Sequence, residues 1–175
     1  GHGMIALEDR ALAVLCEGWR LLPPLKDEAS ITGIYLERLG AKHGTFKTDT
    51  GEIILNERLF QGDTAAMIPC YDIDGNEPPQ KTPFCSRALS TWIHEAAHAI
   101  GFATGFDDTD EWKSLSGFVK SSDDPQGTER YWERRNGWPN GPSEWRYSDG
   151  TWWPRAYSSS SPYEDFADCV AHLAL

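Results

Sequence analysis

The sequence lacks any apolar run near the ~20 residues that a membrane-spanning helix needs, so no such helix is expected. Basic residues are also few: 16 Lys and Arg stand against 27 Asp and Glu in 175 residues, for a formal net charge of -11. This argues against nucleic acid or an anionic membrane surface as the main partner, because phosphate binding needs clustered Lys and Arg. The hydrophobic content of 39% and the aromatic content of 12% argue against disorder, and the length suits one domain.

The cysteines include no Cys-x-x-Cys pair, which argues against a thiolate zinc site or a redox dithiol. Cys70 and Cys85 flank a loop rich in Gly and Pro, residues 72–83, which a disulfide between them would close. An even number of cysteines permits an exported, oxidised protein, whereas four buried free thiols are the alternative. The pairing therefore stays open for Cys16, Cys70, Cys85 and Cys169.

The ends of the chain and its apolar periodicity suggest how it is organised. Residues 1–3 read as the remnant of a cleaved tag, and residues 4–175 as a single domain. The chain ends within a predicted helix, so we expect a domain cut from a longer protein. Periodicity predicts helices at residues 5–22, 86–101 and 161–175. Strand and turn patterns predict a hairpin at 45–59, and leave 30–39 open between strand and helix. Residues 107–157 are polar, with short helical patterns at 112–119 and 129–135.

The strongest motif is His94-Glu95-x-x-His98 on the second predicted helix. Side chains at positions i and i+4 lie on one helix face, so both imidazoles can bind one metal ion. Glu95 projects about 100° away, where it can take a proton from a water that zinc has activated. The remaining circumference of this helix is apolar, so the polar groups need a partner that a metal would supply.

A catalytic zinc site needs a third protein ligand, and Glu164 on the last predicted helix is one candidate. Asp168, one turn later, is placed to hold the outer nitrogen of a ligand histidine. Ser161 and Glu164 also form a capping box, so Glu164 is explained equally well as a helix cap. Asp165 is predicted to face solvent.

The acidic loop after the first metal-binding helix offers a second candidate, Asp107. It lies nine residues after His98, the spacing of the third ligand in the aspzincin family. The residues before it, Gly105-Phe106, depart from the Gly-Thr of that family, and no Tyr follows until Tyr131. A solvated acidic turn is the alternative explanation of Asp107.

His94 to His98, followed by Glu164-x-x-x-Asp168, resembles the gluzincin metallopeptidases, and more closely the anthrax lethal factor catalytic domain and related small secreted bacterial peptidases. The resemblance implies an α+β, zincin-like metallopeptidase fold. Such a fold has a small mixed sheet, an active-site helix and a C-terminal ligand helix. It also implies that Tyr157, seven residues before Glu164, hydrogen-bonds the oxyanion of the reaction. Residues 105–156 would form a Trp-rich insert between the catalytic helices.

The sequence therefore predicts a zinc-dependent endopeptidase that hydrolyses peptide bonds in a protein or peptide substrate, secreted or delivered as a toxin or effector. His94, His98 and Glu164 would bind Zn2+, and Glu95 would act as the general base. The alternatives are a zinc amidase acting on cell-wall peptides, an aspzincin-type peptidase using Asp107, and a non-catalytic zinc-stabilised binding module.

Substrate recognition is left open by the sequence. A strand before the first catalytic helix, at residues 52–55 or a neighbour, is expected to pair with extended substrate. Six of the eight tryptophans lie between the two metal-binding helices, where they either line a cleft or pack an irregular segment. They are Trp112, Trp132, Trp138, Trp145, Trp152 and Trp153.

Overall fold

The computed structural model describes residues 9–60, 67–69, 84–120, 131–133, 145–148, 154 and 157–175. Several sequence interpretations lie outside these residues: the tag remnant, the start of the first predicted helix, the proposed Cys70–Cys85 loop, and Trp138, Trp152 and Trp153. Among the described residues, none of the helices is long and apolar enough to cross a membrane.

The described part of the chain has a mixed α+β fold with four α-helices and three small sheets. The helices are α1 (Asp9–Leu21), α2 (Arg87–Thr104), α3 (Asp110–Leu115) and α4 (Pro162–Ala174). The strands are β1 (Gly33–Glu37), β2 (Gly44–Lys47), β3 (Glu52–Asn56), β4 (Met67–Pro69), β5 (Phe84–Ser86), β6 (Phe118–Lys120), β7 (Tyr131–Glu133) and β8 (Trp145–Ser148). Short 3-10 turns cover Pro24–Glu28, Glu57–Phe60, Phe106–Asp108 and Ser158–Ser160.

The first sheet has the order β1-β3-β2 and supports the site. Strand β3 runs parallel to β1 and antiparallel to β2, so the predicted hairpin is confirmed as β2 and β3. Gly51 closes its turn with a φ of 71°, and a Cβ there would meet the Ser30 carbonyl oxygen at 2.5 Å. Since β3 is central, its backbone is already paired on both sides; among the described residues β1 and β2 are the edge strands, and β2 is the one that contacts Glu95 of α2.

Helix α2 is the most buried element, as its apolar sequence predicts. Trp92, Ile93 and Ile100 are almost fully buried, and they pack in one core with Ile53 and Leu55 of β3. The indole N–H of Trp92 donates a 3.0 Å hydrogen bond to the Leu15 carbonyl of α1. This core fixes the face of α2 that carries the polar motif.

The buried face of α4 differs from the prediction. Asp165 is buried rather than solvent-facing, and Leu173, although apolar, is 83% exposed. Asp165 is hydrogen-bonded by Ser116 and by the Cys169 thiol, so its burial is compensated. Apolarity alone misplaces this face because two acidic residues, Asp165 and Asp168, lie on its buried side.

Three local predictions are settled by strand pairing. The open segment at 30–39 contains β1, whose partner is β3. The helical pattern at 129–135 is wrong, because Tyr131–Glu133 pairs with β8 as a strand. The pattern at 112–119 covers the end of α3 and then β6, which also pairs with β8. Aromatic residues favour strands once a partner is available, and that partner is distant in sequence.

Candidate metal site

Two histidines of α2 are stacked on the face that the core leaves open. The rings of His94 and His98 lie edge to face, with centroids 4.7 Å apart, and their Nε2 atoms are 3.1 Å apart. His94 is buried and His98 is partly buried. The i, i+4 spacing of the helix therefore brings two ligand atoms to one point.

Helix α4 brings Glu164 to the same point. Its Oε2 atom lies 3.1 Å from His94 Nε2 and 3.3 Å from His98 Nε2. The backbone N–H of Glu164 donates to the hydroxyl of Ser161, the N-cap of the helix. The two explanations of Glu164 thus apply to different atoms: its backbone takes part in the cap, and its carboxylate points to the histidines.

The separations among His94 Nε2, His98 Nε2 and Glu164 Oε2 fit a bound metal cation. Tetrahedral ligand atoms at ~2.0–2.1 Å from a zinc ion are about 3.3 Å from one another, close to the three separations found here. Oε2 of Glu164 is buried with the two imidazole Nε2 atoms as its close neighbours, so its charge is costly unless a metal ion or a protonated histidine neutralises it. Among the described residues, His94, His98 and Glu164 form the one group with metal-ligand geometry.

A buried hydrogen-bond chain orients the first histidine. Nδ1 of His94 donates to Asp168 Oδ1 at 2.7 Å, which orients the ring so that Nε2 faces Glu164. The other oxygen of Asp168 accepts a 2.7 Å hydrogen bond from the Ser158 hydroxyl. Burial lowers the pKa of His94, but its hydrogen bonds with Asp168 and Glu164 outweigh this effect and raise the pKa to about 9 when no cation is bound.

The residues before α4 hold two of its carboxylates, Glu164 and Asp168. The hydroxyl of Tyr157 donates to Glu164 Oε1 at 3.0 Å, and the next residue, Ser158, is fully buried against Asp168. Tyr157 therefore contacts a candidate ligand here, whereas the sequence resemblance assigned it to the oxyanion. Burial raises the pKa of Glu164, but hydrogen bonding and charge from the two histidines outweigh this and lower it.

Ser158 is the site residue that the sequence analysis missed. It belongs to a run of four serines, residues 158–161, in which no local pattern distinguishes one hydroxyl from another. The available signal was indirect: a buried Asp168 that binds a histidine through one oxygen needs a donor for its other oxygen.

Glu95 lies beside the three ligand atoms and is enclosed by β2. It is buried, and its carboxylate accepts a hydrogen bond from the backbone N–H of Phe46. Gly44 leaves the space that it occupies, because a Cβ at Gly44 would lie 2.7 Å from Glu95 Oε1. Burial raises the pKa of Glu95, and the nearby histidines partly oppose this. A carboxylate with a raised pKa is suited to accept and return a proton near neutral pH.

Asp107 does not belong to the metal-ligand group. Its buried carboxylate lies against Gly101, where a Cβ would overlap Oδ2, and it accepts the backbone N–H groups of Asp107 and Asp108. Burial raises its pKa. Asp107 is therefore explained by its hydrogen bonds within the 3-10 turn, where its own side chain is buried although Phe106 and Asp108 on either side are exposed.

Trp112 is the one tryptophan of the insert whose side chain the structure describes. Its ring packs edge to face on Phe166 at 5.4 Å and its indole N–H donates to the Pro162 carbonyl at 3.0 Å. It joins α3 to the start of α4, which is a packing role rather than a position in a cleft. Cys16 and Cys169 are free thiols, and burial raises the pKa of Cys169.

No protein-family model, no curated protein and no solved structure matches the chain. The function must therefore be argued from the geometry of the site itself.

Proposed function

We propose that the protein is a zinc-dependent metalloendopeptidase with a zincin-like fold. The observation that carries the proposal is the convergence of His94 Nε2, His98 Nε2 and Glu164 Oε2 to within 3.1–3.3 Å of one another, with buried Glu95 beside them. Two imidazoles and one carboxylate are a donor set typical of catalytic zinc, and three protein ligands leave a fourth position for water or substrate.

When bound, zinc polarises the scissile carbonyl and lowers the pKa of water, which makes hydrolysis possible at neutral pH. Glu95 takes the proton from the attacking water and delivers it to the leaving amine. Its position on α2, one residue after the ligand His94, keeps it next to the metal without binding it. The hydrogen bond from the Phe46 N–H fixes the carboxylate for this task.

Tyr157 and Asp168 hold the ligands in position. Asp168 sets the tautomer of His94, and Tyr157 binds the Glu164 oxygen that does not point to the histidines. The Tyr157 hydroxyl is also the donor that we assign to the substrate oxyanion, which requires it to exchange Glu164 for substrate during the reaction. In mutational studies, loss of such a donor lowers the rate by ~10²–10³.

Strand β2 is the proposed docking edge for an extended substrate. Within the described residues it pairs with β3 on one side, and its Phe46 N–H donates to Glu95. A peptide added to the other edge would run past the catalytic carboxylate. Of the two choices that the sequence left open, the 52–55 segment or a neighbouring strand, we therefore favour the neighbour, β2. Secretion, and a toxin or effector role, stay predictions.

The test combines metal analysis with a peptidase assay on the Glu95→Gln variant. We expect the purified protein to contain about one zinc per chain and to cleave casein, and Glu95→Gln to keep its zinc while losing activity at least ~10²-fold. Glu28→Gln, at an exposed glutamate, is the matched control and should leave both unchanged.

Several results would contradict the proposal. Full activity in zinc-replete Glu95→Gln would exclude the general base. Activity on purified cell wall but not on casein or peptides would favour the amidase. Stoichiometric zinc without any hydrolysis would favour a structural metal site.

A further inference from the structure

An exposed aromatic side chain extends the active-site face of α2. Phe102 is 58% exposed, four residues after His98 and seven after Glu95, so the three side chains lie in one stripe along the helix. Helix rise places Phe102 about 6 Å beyond His98. An exposed phenylalanine is common on a protein surface, but this one adjoins the candidate metal site.

Strand β2 supplies a second ring that faces the first. Phe46 pairs with Ile53, whose side chain is in the core, so both point to the α2 side of the sheet. The rings of Phe46 and Phe102 are 6.0 Å apart at an interplanar angle of 62°, an edge-to-face contact. The backbone N–H of this same Phe46 holds Glu95. Phe46 therefore contacts Phe102 through its ring and Glu95 through its backbone, which links the aromatic pair to the proposed general base.

We propose that Phe46 and Phe102 form an apolar subsite that receives an apolar side chain of the peptide substrate close to the scissile bond. The proposal rests on the proposed function and deepens it by naming the substrate chemistry. An extended peptide advances about 3.3 Å per residue, and alternate side chains point the same way. With the scissile carbonyl at the metal, a side chain one or two residues away spans the ~6 Å from His98 to Phe102.

The location distinguishes this pair from the other exposed apolar side chains. Leu115 on α3 and Leu173 on α4 are more exposed, at 73% and 83%, but neither lies on the α2 stripe with Glu95 and His98. They provide controls in which apolar surface is removed away from the proposed cleft.

The experiment is a cleavage-site profile of the zinc-loaded protein on a pool of peptides from a digested proteome, read by mass spectrometry. We expect one position beside the cleaved bond to be enriched in Phe, Leu, Tyr and Met. Phe102→Ala should lose this enrichment, Phe102→Leu should keep most of it, and Leu115→Ala should match the unmodified protein. For two peptides differing only at that position, Phe102→Ala should lower kcat/KM about tenfold for the apolar peptide and less than about twofold for its alanine counterpart.

The outcomes separate the two proposals. An unchanged preference in Phe102→Ala, with zinc content and melting temperature retained, overturns the subsite and leaves the peptidase intact. An equal loss for both peptides also overturns it, since that would mark a general defect. If the zinc-loaded, unmodified protein cleaves no peptide in the pool, the proposed function fails and the subsite fails with it.

Discussion

The Ser158 hydroxyl lies 2.7 Å from Asp168 Oδ2, on the opposite side of that carboxylate from His94. Asp168 is thereby held at both oxygens, and all three side chains are buried. A carboxylate with one free oxygen could rotate, and the imidazole that it orients would rotate with it. The orientation of the His94 ring is thus fixed indirectly, by Ser158 on the turn before α4, which acts through Asp168.

Removal of metal is expected to lower the thermal stability of the protein. Zinc at about 100 times its Kd stabilises a folded protein by about 2.7 kcal/mol, which is worth several degrees in a chain of this size. Differential scanning fluorimetry with and without a chelator measures the shift, and added zinc should restore it. Glu164→Gln should shift much less because it weakens one of three ligands. Equal shifts in both proteins would place the metal elsewhere.

Asp168→Asn should weaken zinc binding by about 10–100-fold, because the residue that orients His94 loses its charge. Competition with a chromophoric chelator measures the Kd. The matched control is Asp165→Asn, three residues earlier on α4 and also buried, but bonded to Ser116 and Cys169 instead of a histidine. We expect this control to bind zinc normally. Similar losses in both variants would indicate a general defect of α4.

Gly101→Ala should destabilise the protein although alanine is the better helix former. The substitution gains about 1 kcal/mol in helix propensity, whereas the overlap with the Asp107 carboxylate costs about 1–3 kcal/mol. In an Asp107→Gly background no side chain is left beside Gly101, so the same substitution should become stabilising. Denaturant unfolding of the four proteins gives the coupling between the two sites. If the sign of the effect does not change, Asp107 does not occupy the space beside Gly101.

Local spacing was sufficient to predict part of the site. His94 and His98 are brought together by helix periodicity alone, and the cap at Ser161 correctly marked where α4 begins. The contact of Glu164 with the histidines depends on packing of two helices seventy residues apart in sequence, and the sequence only offered it as a candidate. No local pattern distinguishes Ser158, because its role depends on Asp168, which accepts its hydrogen bond from another element.

The two wrong predictions, at Asp165 and at Tyr131–Glu133, have the same physical origin. Asp165 was assigned to solvent because it is charged, but Ser116 and Cys169 make its burial tolerable. Tyr131–Glu133 was assigned a helical tendency because β8, its pairing partner, is remote. Burial of polar groups and pairing of strands are decided by neighbours that local periodicity does not report.

The distribution of the candidate ligands between α2 and α4 has a consequence for the order of events during protein synthesis. A nascent chain that has emerged from the ribosome only as far as α3 already carries both histidines and Glu95. It lacks Glu164, Asp168 and the turn that positions them. Such a chain has two of the three candidate metal ligands, and it lacks Asp168, the group that orients His94. The hydrolytic centre that we propose would therefore be completed only once α4 has been made, after the other described elements.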